Sequence, residues 1–143
     1  MRGRKTMARM SLWIAAGLTG LLALGGIGAA VAQPGGRPVR YGLNGPELDG
    51  CTPYSEISGL NPRGDNYVSV RAAPSVRATE LDRLGPRRRV WICEEVPSWA
   101  GIVYGPRGSM GCNVESPVPR VRPYRGPCRS GWVSARYVTP IAG

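Results

Sequence analysis

Proline and glycine interrupt this chain so often after residue 50 that no long helix can persist in it. Pro53, Pro62, Pro74, Pro86 and Pro97 break the first part, and Pro106, Pro117, Pro119, Pro123 and Pro127 crowd the segment 105–127 together with several glycines. Each proline removes a backbone donor and fixes one torsion, which excludes a helix interior and a central strand position alike. Between the breaks no apolar stripe of 3.6-residue period is sustained, and the apolar residues alternate instead. The expected strands are 54–58, 67–71, 80–84, 89–94, 99–104, 131–133 and 137–138. In 67–71 the alternation puts Val68 and Val70 on one face and polar side chains on the other, the pattern of a half-buried strand. Val90 and Ile92 repeat it, which turns Trp91 to the opposite face. Gly85 and Pro86 with Arg87 and Arg88 form a charged hairpin turn.

The first 32 residues carry an address rather than part of the fold. Arg2, Arg4, Lys5 and Arg9 precede an apolar run over 12–32 that ends in Ala30, Val31 and Ala32, the layout of a signal peptide cut after Ala32. An uncleaved membrane anchor is the competing reading, because the run approaches the ~20 residues that span a bilayer. Five glycines within it argue against a rigid span, and no cysteine stands at its end to accept a lipid. Residues 33–50, rich in Gly and Pro, are expected to form a flexible arm, and residues 51–143 one ordered domain.

Four cysteines, Cys51, Cys93, Cys112 and Cys128, all lie beyond the leader. An even number in a small exported domain indicates disulfides. No pair has the close spacing of a zinc site, and the chain has no histidine, so neither a metal nor another cofactor is expected. Four cysteines allow three pairings. The long segment 105–127 would be costly to order unless fastened, which favours Cys112 with Cys128; that bridge contributes ~3 kcal/mol in the loop-entropy model. Cys51 with Cys93 would then tie the first residue of the domain to a central strand.

Nineteen basic residues against nine acidic ones give the chain a formal charge of +10. Without the leader the balance is fifteen arginines against the same nine acids, and no lysine remains. A guanidinium pairs both oxygens of a carboxylate or phosphate, so anionic partners fit such a surface. For an exported chain nucleic acid is not the expected partner. The run Arg87, Arg88 and Arg89 reads first as a solvated hairpin tip.

Residues 67–75, Tyr67-Val68-Ser69-Val70-Arg71-Ala72-Ala73-Pro74-Ser75, resemble the "L-N-V-R-x-G-P-S" stretch of the bacterial SH3-like (SH3 type 3) domain family, and the later motifs follow in that family's order. Residues 80–86 resemble its "V-I-G-x-L-x-x-G" strand and turn, Trp99 its "G-W" position, and 131–138 its closing "G-W-V-S-S-R-Y-L". The resemblance covers about 54–138. Ala73 stands in place of the usual glycine, and 105–127 is an insertion where most members have a short turn. The resemblance implies an all-β fold, a small SH3-like barrel of five to seven short strands, here with a long disulfide-tethered loop. It also implies a binding role, often as a peptidoglycan-targeting module.

Catalysis is not expected. There is no histidine to act as base, the cysteines are expected to be oxidised, and Glu94 and Glu95, as neighbours on a strand, face opposite ways and do not flank one bond. The expected ligand-binding side chains are Tyr67, Arg71, Trp91, Trp99, Tyr104 and Trp132, because sugar rings and proline-rich peptides stack on aromatic faces. Core packing is the competing role for Trp99 and Trp132, and packing beneath the inserted loop is favoured for Trp91. The expectation is a monomeric, periplasmic or secreted binding module with no stable membrane insertion, which recognises a cell-wall polymer or peptide. An envelope protein bound through the Pro-rich loop is the alternative.

Overall fold

The structure, a computed structural model, describes residues 36–109 and 111–142. The expected leader lies outside the described residues. Nine strands follow in order: β1 Arg40–Tyr41, β2 Tyr54–Ile57, β3 Val68–Arg71, β4 Glu80–Leu84, β5 Arg89–Val96, β6 Trp99–Tyr104, β7 Arg122–Pro123, β8 Arg129–Ser134 and β9 Val138–Ala142. Helix among the described residues is confined to two single 3-10 turns, Pro106–Gly108 and Ala135–Tyr137. The fold is all-β. Every run expected as a strand contributes to one, although β5 and β8 run longer and Tyr137 closes a 3-10 turn before β9 rather than starting the strand.

Seven strands form one antiparallel sheet in the order β4-β3-β8-β6-β5-β2-β9, and β1 pairs with β7 in a second, two-stranded sheet. The large sheet is forced to bend. Residues 85–88 alone join β4 to β5, strands four places apart in the sheet. Four interstrand spacings would separate them by about 19 Å in a flat sheet, whereas that link, even fully extended, reaches at most about 17 Å. The link is also folded back, with Arg88 N–H donating to the Gly85 carbonyl. The two edge strands, β4 and β9, do not pair with each other, so the sheet is bent but not a closed barrel.

The concave side holds the first core: Ile57, Val68, Val70, Leu84, Val90, Ala100, Ile102, Tyr104 and Val133. These are the alternating positions of β2 to β6 and β8, as the two-residue period requires. Gly131 is needed here because a Cβ at that position would collide with Cγ1 of Val70.

The other side of the sheet carries a second core, of which the sequence suggested only the packing of Trp91 beneath the inserted loop. Trp91, Cys93, Val103 and Trp132 project from β5, β6 and β8 and are covered by Val39, Tyr41 and Cys51 from the arm and by Cys112, Val114, Val118 and Tyr124 from the inserted segment. Strands β5 and β6 are therefore buried on both faces rather than half-buried. The segment 33–50 was expected as a flexible arm, yet from residue 36 onward it is part of this layer. Val39 and Tyr41 are buried, Tyr124 N–H donates to the Val39 carbonyl at 2.8 Å, and Gly50 N–H and Cys51 N–H donate to the carbonyls of Ser116 and Val114. Buried backbone groups must find partners, and in this irregular layer the arm and the insertion supply them to each other.

Two disulfides fasten the layer: Cys51 with Cys93 and Cys112 with Cys128, with Cα separations of 4.2 and 5.2 Å. The first clips the end of the arm to β5, and the second closes the insertion on itself just before β8. In the loop-entropy model they contribute about 4 and about 3 kcal/mol respectively. Tyr124 completes the closure, donating from its hydroxyl to the Cys112 carbonyl at 2.7 Å and accepting from Cys128 N–H at 3.1 Å.

A bulge in β5 positions the remaining fastener. Ile92 pairs with Ile102 and Glu94 with Gly101, so Cys93 is an extra residue, and such an insertion re-aims the side chains beside it. Glu94 thereby lies under the arm, where it is buried and accepts from Arg40 N–H at 3.0 Å, from the Arg40 guanidinium at 2.6 Å and from Arg37. Burial pushes its carboxyl up, but these hydrogen bonds and the two cations outweigh that and hold it below the usual carboxylate range. Glu95 remains exposed.

Candidate binding site

The six side chains expected to bind a ligand do not converge. Trp91 and Trp132 are enclosed in the second core. Trp91 packs on Tyr54 with ring centroids 4.5 Å apart, and its indole N–H is buried with no partner among the described residues. Trp132 is wholly buried; its indole N–H donates to the Arg37 carbonyl at 2.7 Å, beneath the Arg37 guanidinium. Trp99 is half-buried against the same core. Tyr104 lies on the opposite face of the sheet, in the first core. Tyr67 is half-buried below the Arg83 guanidinium, and Arg71 donates to the Ala78 carbonyl at 3.0 Å, bracing the turn between β3 and β4. Trp91 and Trp132 thus serve as the apolar footing of the outer layer and present no open ring face.

Aromatic and arginine side chains do converge elsewhere, between the arm and the insertion. A cleft of about 430 Å³ is walled by Tyr41, Tyr124, Pro117, Pro123, Arg122 and Arg125. The two tyrosine rings meet edge to face at 5.6 Å, an arrangement favoured by the ring quadrupole. Arg122 donates through Nε to the Tyr41 hydroxyl at 2.9 Å, with its guanidinium 5.4 Å from that ring's centroid. Burial raises the Tyr124 hydroxyl above its ordinary value, so it stays protonated and keeps its bond to Cys112. No acidic residue lines the cleft, which leaves two positive charges facing it. Such a wall can receive an anionic chain: the guanidiniums pair with its oxyanions, and the prolines and the tyrosine edges give it apolar contact.

This cleft was invisible in the sequence because its walls come from segments without periodicity. The cluster Arg122, Pro123, Tyr124 and Arg125 was its nearest signal. Tyr41 could not have been matched to it before the pairing Tyr41↔Arg122 between β1 and β7 was known.

A second charged cluster sits where the insertion leaves β6 and rejoins β8, which pair there as Tyr104↔Arg129. Asp82 accepts from the Tyr104 hydroxyl at 3.0 Å, from Arg129 at 2.9 Å and from Arg83 N–H at 2.8 Å. Burial pushes the Asp82 carboxyl up, but these three donors prevail and keep it below its usual range. Burial, reinforced by the neighbouring carboxylate, drives the Tyr104 hydroxyl well above the ordinary phenol value.

Among the described residues no group of three or more metal-binding side chains occurs, and no helix is long and apolar enough to cross a membrane. Two disulfides fit an oxidising compartment. Compared with models of known families, with curated proteins and with solved structures, the chain matches none.

Proposed function

We propose that this chain is an exported, non-enzymatic binding domain of the bacterial cell envelope, built on an SH3-like sheet and released from a leader at Ala32. It acts as a monomer in the periplasm or outside the cell and recognises an anionic envelope polymer or peptide, with peptidoglycan the foremost candidate. The observation that carries this reading is the cationic cleft between Tyr41, Arg122, Tyr124 and Arg125, held on a layer that one disulfide clips to β5 and a second closes on itself. A cleft fixed in advance loses little entropy on binding. The resemblance of residues 131–138 to the closing motif of bacterial SH3-like domains supports the same reading, as does the lack of histidine.

Co-sedimentation of the oxidised domain with insoluble peptidoglycan sacculi, at low and at physiological salt, tests it. Retention at physiological salt that is lost in Arg125→Ala supports the cleft. Retention only at low salt means unspecific attraction between charges, and no retention at either refutes the peptidoglycan reading.

A protein partner is the second reading, favoured by exposed Leu43 and Leu48 on the arm and Val121 on the insertion. In that case capture of an envelope protein would depend on these three side chains and not on Arg125.

A further inference from the structure

We infer that the cluster at the base of the insertion is a second binding site, one that takes a single carboxylate group. A cleft of about 330 Å³ opens there between Asp82, Arg88, Tyr104 and Arg129, with Pro106 and Pro127 as its apolar walls. It stands at the two ends of the insertion and shares no lining residue with the Tyr41–Arg122 cleft.

The donors in this cleft are unequally used. Both oxygens of Asp82 are occupied, by Tyr104, Arg129 and Arg83 N–H. Arg129 gives Asp82 only its Nη1, and the rest of its guanidinium lies at an exposed position. Arg88 gives Nη2 to the Gly105 carbonyl at 2.6 Å, and its guanidinium stands 6.0 Å from the Tyr104 ring centroid. Its Nε is buried and has no hydrogen-bond partner among the described residues. A buried donor of a charged group left unpaired is costly, and native structures rarely keep one without a use.

Charge selects the ligand class. Two guanidiniums and one carboxylate leave the cleft at +1, which one carboxylate neutralises and a doubly charged phosphate over-neutralises. The exposed remainder of the Arg129 guanidinium and the Nη1 of Arg88, neither of which has a protein partner among the described residues, suit the two oxygens of such a group. Tyr104 contributes as a positioning residue: its hydroxyl and Arg129 donate to the same oxygen of Asp82, which fixes the carboxylate against Arg129. The ligand is thus a chain or small molecule ending in a carboxylate, with an apolar part against the two prolines. This assignment stands whether or not the other cleft binds an envelope polymer.

The test is a titration of the oxidised full domain, followed through the arginine Nε–H signals in nitrogen-resolved NMR, with N-acetylalanine, its methyl ester and inorganic phosphate as probes. N-acetylalanine is expected to shift the Arg88 and Arg129 signals saturably, with a dissociation constant of about 1 mM, and the ester to shift neither. Arg129→Gln, at an exposed position, is expected to weaken binding about tenfold. Arg88→Lys is the companion variant, used if near-ultraviolet circular dichroism shows it folded, and it too should weaken binding. Equal binding of the ester, tighter binding of phosphate, unchanged affinity in Arg129→Gln, or shifts that never saturate would each overturn the inference.

Discussion

Replacing Glu94 by Gln should release the front of the arm while leaving the sheet folded. Among the described residues Glu94 is the one buried carboxylate, and it accepts from Arg40 N–H, from the Arg40 guanidinium and from Arg37. Removing one partner of a fully buried ion pair costs about 3–5 kcal/mol. Here the two arginine side chains remain 42% and 46% exposed, so water can solvate the stranded cations, and Gln still offers an oxygen to Arg40 N–H. The expected loss is therefore smaller, about 1–2 kcal/mol, or roughly 5–15 °C in Tm for a domain of this size. Urea unfolding followed by tryptophan fluorescence measures it. Trypsin gives the local readout: Arg40–Tyr41 should be cut faster in the variant, while Arg37, which precedes Pro38, stays resistant. The same bond network fixes a pH dependence. The folded carboxyl titrates below its unfolded value of about 4.3, so its stabilisation is complete above that pH and is lost as pH falls through the folded value. Glu94→Gln should lack this acid-limb loss. Equal stability of the two proteins at neutral pH, with equal cleavage at Arg40, would refute the reasoning.

Three further outcomes are expected. Cys112→Ser with Cys128→Ser should cost about 3 kcal/mol and expose amides of the insertion to hydrogen exchange, while those of β5 and β6 remain protected. Gly131→Ala should destabilise by about 1–3 kcal/mol through overpacking, since the new methyl meets Val70, and a paired Val70→Ala should recover part of the loss in thermal melts. Tyr124→Phe removes the donor to Cys112 and the acceptor of Cys128 N–H, at an expected cost of about 1–3 kcal/mol, read from chemical unfolding.

The sheet was legible in the sequence and the layer covering it was not, for a physical reason. Strands declare themselves by period: Val68 with Val70, and Val90 flanked by turn residues, placed β3 and β5 near their observed bounds. The disulfide pairing was legible too, because a long proline-rich segment needs a closure and Cys112 and Cys128 stand near its ends. Val39, Tyr41, Val114, Val118 and Tyr124 bury themselves at irregular intervals, in a backbone with almost no ladder of its own, so no pattern marks them as core. That omission also misassigned the aromatics. Packing beneath the inserted loop was expected for Trp91 and core packing was weighed for Trp132, but with the rest of the cover unmarked both still stood among the candidate ligand platforms, whereas they are the floor on which the arm and insertion rest. The face taken by Glu94 depends on the bulge at Cys93, a single extra residue that strand alternation cannot anticipate.

Both disulfides belong to the outer layer, and neither crosslinks the concave core. Reduction should therefore loosen the cover before the sheet: the arm and the insertion would keep only their mutual hydrogen bonds, the Glu94 ion pairs and their apolar contacts, while the concave core loses no crosslink. Greater access of water to Trp91 and Trp132 is the expected consequence, and a red shift of intrinsic tryptophan emission on reduction is the measurement that reads it.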